Sequence, residues 1–215
     1  MIRLHHCPQT RSMRSLWLLH ELGLEFDVVT YPFDKTLRQE PYRSLNPTGR
    51  VPTLEIDDVV LTESGAIAEY LCERFPQAGL GRDPSHAERA QWLNWIHFAE
   101  TISQHTAALT QQHIALYDDS MRSPIIMQLE AKRLSKTLAT VNQSLTGDYL
   151  LSGFSAADIG VGQAVYMARH FVTLDALPAL AAWYARLEAR PAFQKSLPDG
   201  AGLYAKPFYP PWEIS

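Results

Sequence analysis

The stretch "GRVPTLEIDDVVLTES", from Gly49 to Ser64, carries groups with chemical consequences at both of its ends. Pro52 stands at the mouth of a run that reads as a strand, where it gives up a ladder donor. If the Val51–Pro52 bond is cis, the turn exposes the N–H and C=O of Val51 to an incoming extended peptide. At the far end, Glu63 and Ser64 stand where a hairpin gives way to a helix. The free amides and positive dipole end of that helix favour an anion, the Ser64 hydroxyl adds a donor, and the Glu63 carboxylate can take an ammonium. Together they are complementary to an amino-acid zwitterion. The plainer alternative uses the same residues: Thr62 or Ser64 caps the helix and Glu63 favours its first turn.

The elements that must hold this stretch show as changes of period. Ile2 to His6 is a short strand ending at Cys7-Pro8, after which Leu16, Leu19 and Leu22 recur one helical turn apart before Gly23 stops the helix. Phe26 and Val28 alternate with Glu25 and Asp27, a second strand that the right-handed crossover rule lays parallel to the first. Pro41 and Pro47 reduce the next segment to a short irregular helix and loop. "PTLEI" and "VVLT", separated by Asp57-Asp58, make an antiparallel hairpin, and Ile67, Tyr70 and Leu71 share one side of the helix that follows. The order is βαβ, then α, then ββα.

From Pro76 the chain turns rich in proline and glycine, and beyond it strand signals vanish. Two long helical candidates follow, one from Ala87 to Tyr117 and one from Ser123 to Leu145 in which Leu134, Leu138, Val141 and Leu145 line one face. Ser155 and Asp158 have the spacing of a capping box, with Phe154 available as its staple, and one more helix ends near Pro191. The fold class expected is an α/β thioredoxin-like N-terminal domain followed by an all-α helical bundle. Its boundaries are residues 1–76, a linker at 77–85, helices over 86–200 and an extended C-terminal arm at 201–215.

Composition narrows the partners. The chain has 215 residues, 46% of them hydrophobic, and a net charge of −4 with no run of basic residues, which argues against nucleic acid and anionic membrane. It has no stretch near the ~20 apolar residues of a membrane span and no secretory leader, so a cytoplasmic location is expected. Cys7 and Cys72 are expected as reduced thiols. His97, His105 and His113 punctuate the first long helix, but no Cys or acidic cluster completes a metal site.

"NPTGRVPTLEIDDVVLTESGAIAEYL" resembles the glutathione-binding stretch of cytosolic glutathione transferases, and "GFSAADIGVG" is similar to the capping-box motif of that family's helical domain. The resemblance covers nearly the whole chain. It implies glutathione as co-substrate: Val51, beside Pro52, would hold the cysteinyl backbone, and Glu63 with Ser64 the γ-glutamyl end. Arg50 would neutralise the glycyl carboxylate or stand as a solvated loop arginine.

Transfer chemistry needs glutathione as a thiolate, whereas a free thiol, with a pKa near ~8.5, is mostly protonated at neutral pH. Hydroxyls, helix N-terminal amides and a nearby cation all favour the charged form. They would come from the loop "CPQTRSMRS". The resemblance to serine-type transferases points to Thr10 as the hydroxyl facing the sulfur, with Ser12 its rival and Arg11 between them, where some bacterial members carry a cysteine. A helix cap would use the same two hydroxyls.

The expected activity is therefore a glutathione S-transferase, attacking a small hydrophobic electrophile held between the domains, in a homodimer. Trp92, Trp95 and Phe98 read either as core or as the electrophile's apolar wall. Two other readings share the fold: a reductase using Cys7 in a mixed disulfide with glutathione, and a binding module without catalysis.

Overall fold

The computed structural model describes residues 1–200, 202–204 and 206–210. The elements follow as β1 (Ile2–His6), α1 (Ser12–Glu21), β2 (Asp27–Thr30), α2 (Tyr42–Leu45), β3 (Thr53–Ile56), β4 (Val59–Leu61) and α3 (Ser64–Arg74). Only helices come after: α4 (Arg89–Thr110), α5 (Pro124–Ser144), α6 (Ala156–Ala168), α7 (Pro178–Glu188) and α8 (Pro191–Lys195) among the described residues. None of them is long and apolar enough to cross a membrane.

The sheet order is β2-β1-β3-β4, with β1 and β2 parallel and both other pairs antiparallel. This is the thioredoxin-like arrangement expected, with the βαβ unit and the hairpin joined through β1 and β3. Leu4, Leu54 and Ile56 from those two central strands are buried. Phe26 packs edge-on against His20, whereas Val28 is 41% exposed because β2 is an edge strand. Gly23 follows the end of α1 with φ +64°, the left-handed turn that glycine reaches without a Cβ clash.

Trp17 on α1, fully buried, meets Phe193 of α8 edge-on at 4.9 Å. A Cβ at Gly162 of α6 would approach Trp17 to 3.2 Å and Leu187 to 2.6 Å, so glycine there lets α6 close onto α1. The segment between α3 and α4 is tied down rather than slack. The Leu80 carbonyl accepts from Trp92 Nε1 at 3.1 Å and from Ala156 N at 2.9 Å, and Arg82 donates to Gly79, Gly81 and Glu88.

At the start of α6, Ser155 Oγ accepts from Ala157 N, and Asp158 Oδ2 accepts from Ser155 N at 3.0 Å, completing the capping box. Asp158 does more than cap: its Oδ1 also accepts from Leu150 N and Trp183 Nε1, tying α7 to the start of α6. α4 runs on into a wider π turn at Gln111–Ala115. The C-terminal segment has no regular structure where it is described, and Tyr204 stacks on His170 at 4.5 Å. The rest of the expected arm, residue 201, residue 205 and residues 211–215, lies outside the described residues.

Candidate active site

The loop before β3 is built by Asn46. Its amide Nδ2 donates to the Arg50 carbonyl at 2.8 Å and to Thr53 Oγ1 at 3.1 Å, while its Oδ1 accepts from the Thr48 N–H and hydroxyl. Tyr42 donates to the same Arg50 carbonyl. Gly49 has φ +62°, and a Cβ there would stand 2.9 Å from the Leu37 carbonyl. The Val51–Pro52 bond is cis, and neither the N–H nor the C=O of Val51 meets a partner among the described residues. The Arg50 side chain beside it is exposed and likewise unpaired among the described residues.

Glu63 is the extended residue before α3, and neither it nor Ser64 caps the helix through its side chain. Thr62 makes no side-chain hydrogen bond among the described residues either, so the hydroxyl cap drops away, while Glu63 still stands at the positive end of the helix. The Ser64 hydroxyl accepts from Arg14 Nη1 at 3.2 Å, which leaves its own proton free to donate. The Glu63 carboxylate is exposed and has no partner among the described residues.

In the loop after β1, Thr10 and Ser12 separate. Ser12 is fully buried: its Oγ lies 2.8 Å from His6 Nδ1, accepts from Cys7 N at 3.1 Å and reaches the Cys7 carbonyl at 3.1 Å. It cannot meet a ligand without dismantling that network. Thr10 is half-buried, and its Oγ1 donates to the Cys7 carbonyl at 2.8 Å and stands 2.9 Å from Ser12 Oγ. Burial lowers His6 to about 4, opposed by its contact with Ser12, so the imidazole is neutral at physiological pH.

Cys7 itself is 1% exposed, and burial, then the Asp34 carboxylate, pushes its thiol up to about 11. A buried protonated thiol is a poor nucleophile, which argues against the mixed-disulfide reading. Cys72 is buried in the core, as its helical position implied.

Thr10 lines a cleft of about 430 Å³ together with Arg11, Arg38 and Arg50, with Ser103, Thr106 and Thr110 of α4, and with Gln163 and Tyr204. The aromatic residues of α4 do not form this wall. Trp92 is fully buried and donates to Leu80, and Trp95 pairs with Phe98 on another face of the helix. Arg11 is held by Glu100, with Nε 2.9 Å from Oε2. Burial pushes the Glu100 carboxyl up, but Arg14 and Arg11 outweigh it and keep it below its ordinary value.

Arg14 is the residue that sequence reasoning missed. It is 6% exposed, and its guanidinium donates to Ser64, Glu100, Ser103, the Ala99 carbonyl and Gln163. Burial lowers its pKa and Glu100 opposes the shift. Gln163 in turn donates to the Thr10 carbonyl at 3.1 Å. His97 and His105 of α4 do not line the cleft: His97 meets Glu69, and His105 meets Glu130 at 2.6 Å.

The model of the glutathione S-transferase N-terminal domain matches residues 1–73. The glutathione S-transferase-like protein OpS6 of Beauveria bassiana is 31% identical over 86% of this chain and 89% of its own length. A probable glutathione S-transferase of Oryza sativa subsp. japonica is 30% identical over 85% of this chain and 88% of its own. Among solved structures, a glutathione S-transferase from Xylella fastidiosa aligns with a TM-score of 0.82 at 28% identity, covering 91% of this chain and 97% of that one. A sphingomonad glutathione S-transferase complexed with glutathione aligns at 0.78 with 26% identity, covering 91% and 96%. The sheet order, the helical half and these matches agree: the chain belongs to the glutathione S-transferase family.

Proposed function

We propose that this chain binds glutathione and activates its thiolate for attack on a small electrophile held in the cleft between Thr10 and α4. The observation that carries the reading is the position of Thr10, the loop hydroxyl that lines the cleft while Ser12 stays buried behind it. Val51 would pair its free N–H and C=O with the cysteinyl residue. The α3 amides and the Ser64 hydroxyl would take the γ-glutamyl carboxylate, Glu63 the ammonium and Arg50 the glycyl carboxylate.

Thr10 then turns its proton from the Cys7 carbonyl to the glutathione sulfur. That carbonyl is not orphaned, because Ser12 Oγ already stands 3.1 Å from it and can donate in its place. Ser12 and His6 are thus positioning residues. The cations of Arg11, Arg38 and Arg50, which line the same cleft, add a field that favours the charged sulfur. Phe33, Ala107 and Met167 give the electrophile an apolar seat. A homodimer in which α4 takes part would cover Trp95 and Phe98, which are half-buried in the single chain.

Calorimetry with glutathione, followed by titration of the bound thiol through its ultraviolet absorbance, tests the reading. The bound thiol should ionise at least about one unit below the free value of ~8.5. Thr10→Val should raise it by about one unit or more with little loss of affinity, and Thr10→Ser should restore it. Absence of glutathione binding, or an unchanged titration in the valine variant, refutes the proposal.

A further inference from the structure

Two α4 hydroxyls of the cleft, those of Thr106 and Thr110, have their protons already committed, whereas the Ser103 hydroxyl accepts from Arg14 and keeps its own proton. Thr106 Oγ1 donates to the Ser103 carbonyl at 3.0 Å and Thr110 Oγ1 to the Thr106 carbonyl at 2.7 Å. Thr110 has one proton, so its contacts with the Thr106 carbonyl and with Tyr204, both 2.7 Å, are hydrogen bonds together only when the tyrosine donates. The bonds run one way, from Tyr204 to Thr110 to the backbone. Their open end is the oxygen of Tyr204, a residue that lines the same cleft as Thr10, and this oxygen has no donor of its own among the described residues.

The ring that carries this oxygen is fixed. It stacks on His170 at 4.5 Å, meets Phe171 edge-on at 5.8 Å, and its backbone N–H donates to Gln9 Oε1 at 3.2 Å. Gln9, with φ +55°, also donates to the Tyr166 hydroxyl at 2.9 Å. The residue just before Thr10 therefore sets the position of Tyr204. Burial holds the phenol protonated, pushing it up to about 12.

An oxygen with free lone pairs and no spare proton accepts hydrogen bonds and does not give them. We infer that the electrophile taken here has an apolar body bearing a hydrogen-bond donor, a hydroxyl in the first instance, and that Tyr204 is the residue selecting it. This rests on the proposed function and narrows its substrate class. An electrophile with only a carbonyl, ether or halogen where it meets the Tyr204 oxygen would have no proton to share with it.

The test uses para-hydroxybenzalacetone and its para-methoxy ether, two enones that differ in the donor alone. The glutathione sulfur bonds to the β-carbon, the alkene pair moves onto the carbonyl oxygen, and the enolate takes a proton from solvent, so nothing leaves. Rates with the full chain are divided by the uncatalysed rate of glutathione with each enone. The wild type should favour the hydroxyl compound in kcat/KM by about tenfold, and Tyr204→Phe, which keeps the stacked ring, should bring the ratio below about threefold. Thr110→Val removes the acceptor of the tyrosine proton, frees Tyr204 to donate, and should move the preference towards the methoxy compound. A wild type indifferent to the two enones, or a preference that survives in Tyr204→Phe, overturns the inference while glutathione binding leaves the parent reading standing. Failure to bind glutathione at all brings down both.

Discussion

Arg14 Nη1 stands 3.2 Å from the Ser64 hydroxyl, so a cation rooted in α1 reaches the first residue of α3. The same guanidinium donates through Nε to Gln163 Oε1 at 2.9 Å, and the Gln163 amide donates to the Thr10 carbonyl at 3.1 Å. Ser64, Arg14, Gln163 and Thr10 thus form one connected run from the proposed γ-glutamyl end of the site to its sulfur end. Arg14 also holds α4 through Glu100, Ser103 and the Ala99 carbonyl. A planar fork of five donors suits such divergent acceptors, and a single ammonium does not.

Replacing Arg14 by leucine should therefore cost about 3 kcal/mol of stability, because Gln163, Ser103 and Glu100 lose a buried partner together. Arg14→Lys should recover little of it, since one charged point reaches one or two of those oxygens at a time. In the lysine variant the KM for glutathione should rise, as the Ser64 hydroxyl is no longer held. Urea unfolding and steady-state kinetics check both. A lysine variant equal to wild type in each would show that the fork geometry is not what connects the site.

The two thiols should be silent in the native protein. Burial pushes Cys7 up to about 11 and Cys72 up to about 12, so both stay protonated and covered at pH values where thiol reagents act. Ellman's reagent should label them only on unfolding. Cys7 serves the loop through its main chain, its N–H on Ser12 and its carbonyl under Thr10, and Cys7→Ala keeps both contacts. That variant should hold kcat/KM within about twofold of wild type and cost roughly 1 kcal/mol of stability for the lost sulfur. Rapid native labelling of Cys7, or loss of turnover in the alanine variant, would revive the reductase.

The parts of the molecule that were legible in its sequence are those whose cause is local. The break from alternating to helical period marked β1 through α3, and the spacing of Ser155 and Asp158 marked a cap because both partners lie within one turn. Arg14 escaped because its partners come from α3, α4 and α6, and a charge on a helix ordinarily marks the solvated side. One signal was present: Ser12 to Leu19 is buried all round, and the closely set apolar residues of "SMRSLWLL" leave no wet face for a guanidinium. Trp95 and Phe98 stayed open between core and cleft wall, since residue type does not say which side of α4 meets the cleft. Tyr204 sits in a segment without period, where no pattern could place it against Thr110.

Acid should unfold this protein earlier than its carboxylates alone would. Burial lowers His6, His113 and His170 each to about 4, with Arg122 adding to the shift at His113 and Arg169 at His170. Unfolded, each imidazole titrates near 6.5, so between that pH and about 4 the unfolded chain binds protons that the folded one refuses. The histidines thus leave stability at its full value above about pH 6.5 and withdraw it as the pH falls towards 4, the reverse of a histidine that gains an acidic partner. His6→Asn keeps a side-chain oxygen near the place of Nδ1 to meet Ser12 and removes one titrating group, so its urea midpoint should fall less steeply across that window. Midpoints measured from pH 7 down to pH 4 give the slope directly. Equal slopes for wild type and variant would mean that His6 is protonated without cost where it lies, and the neutral imidazole holding Ser12 behind Thr10 would have to be given up.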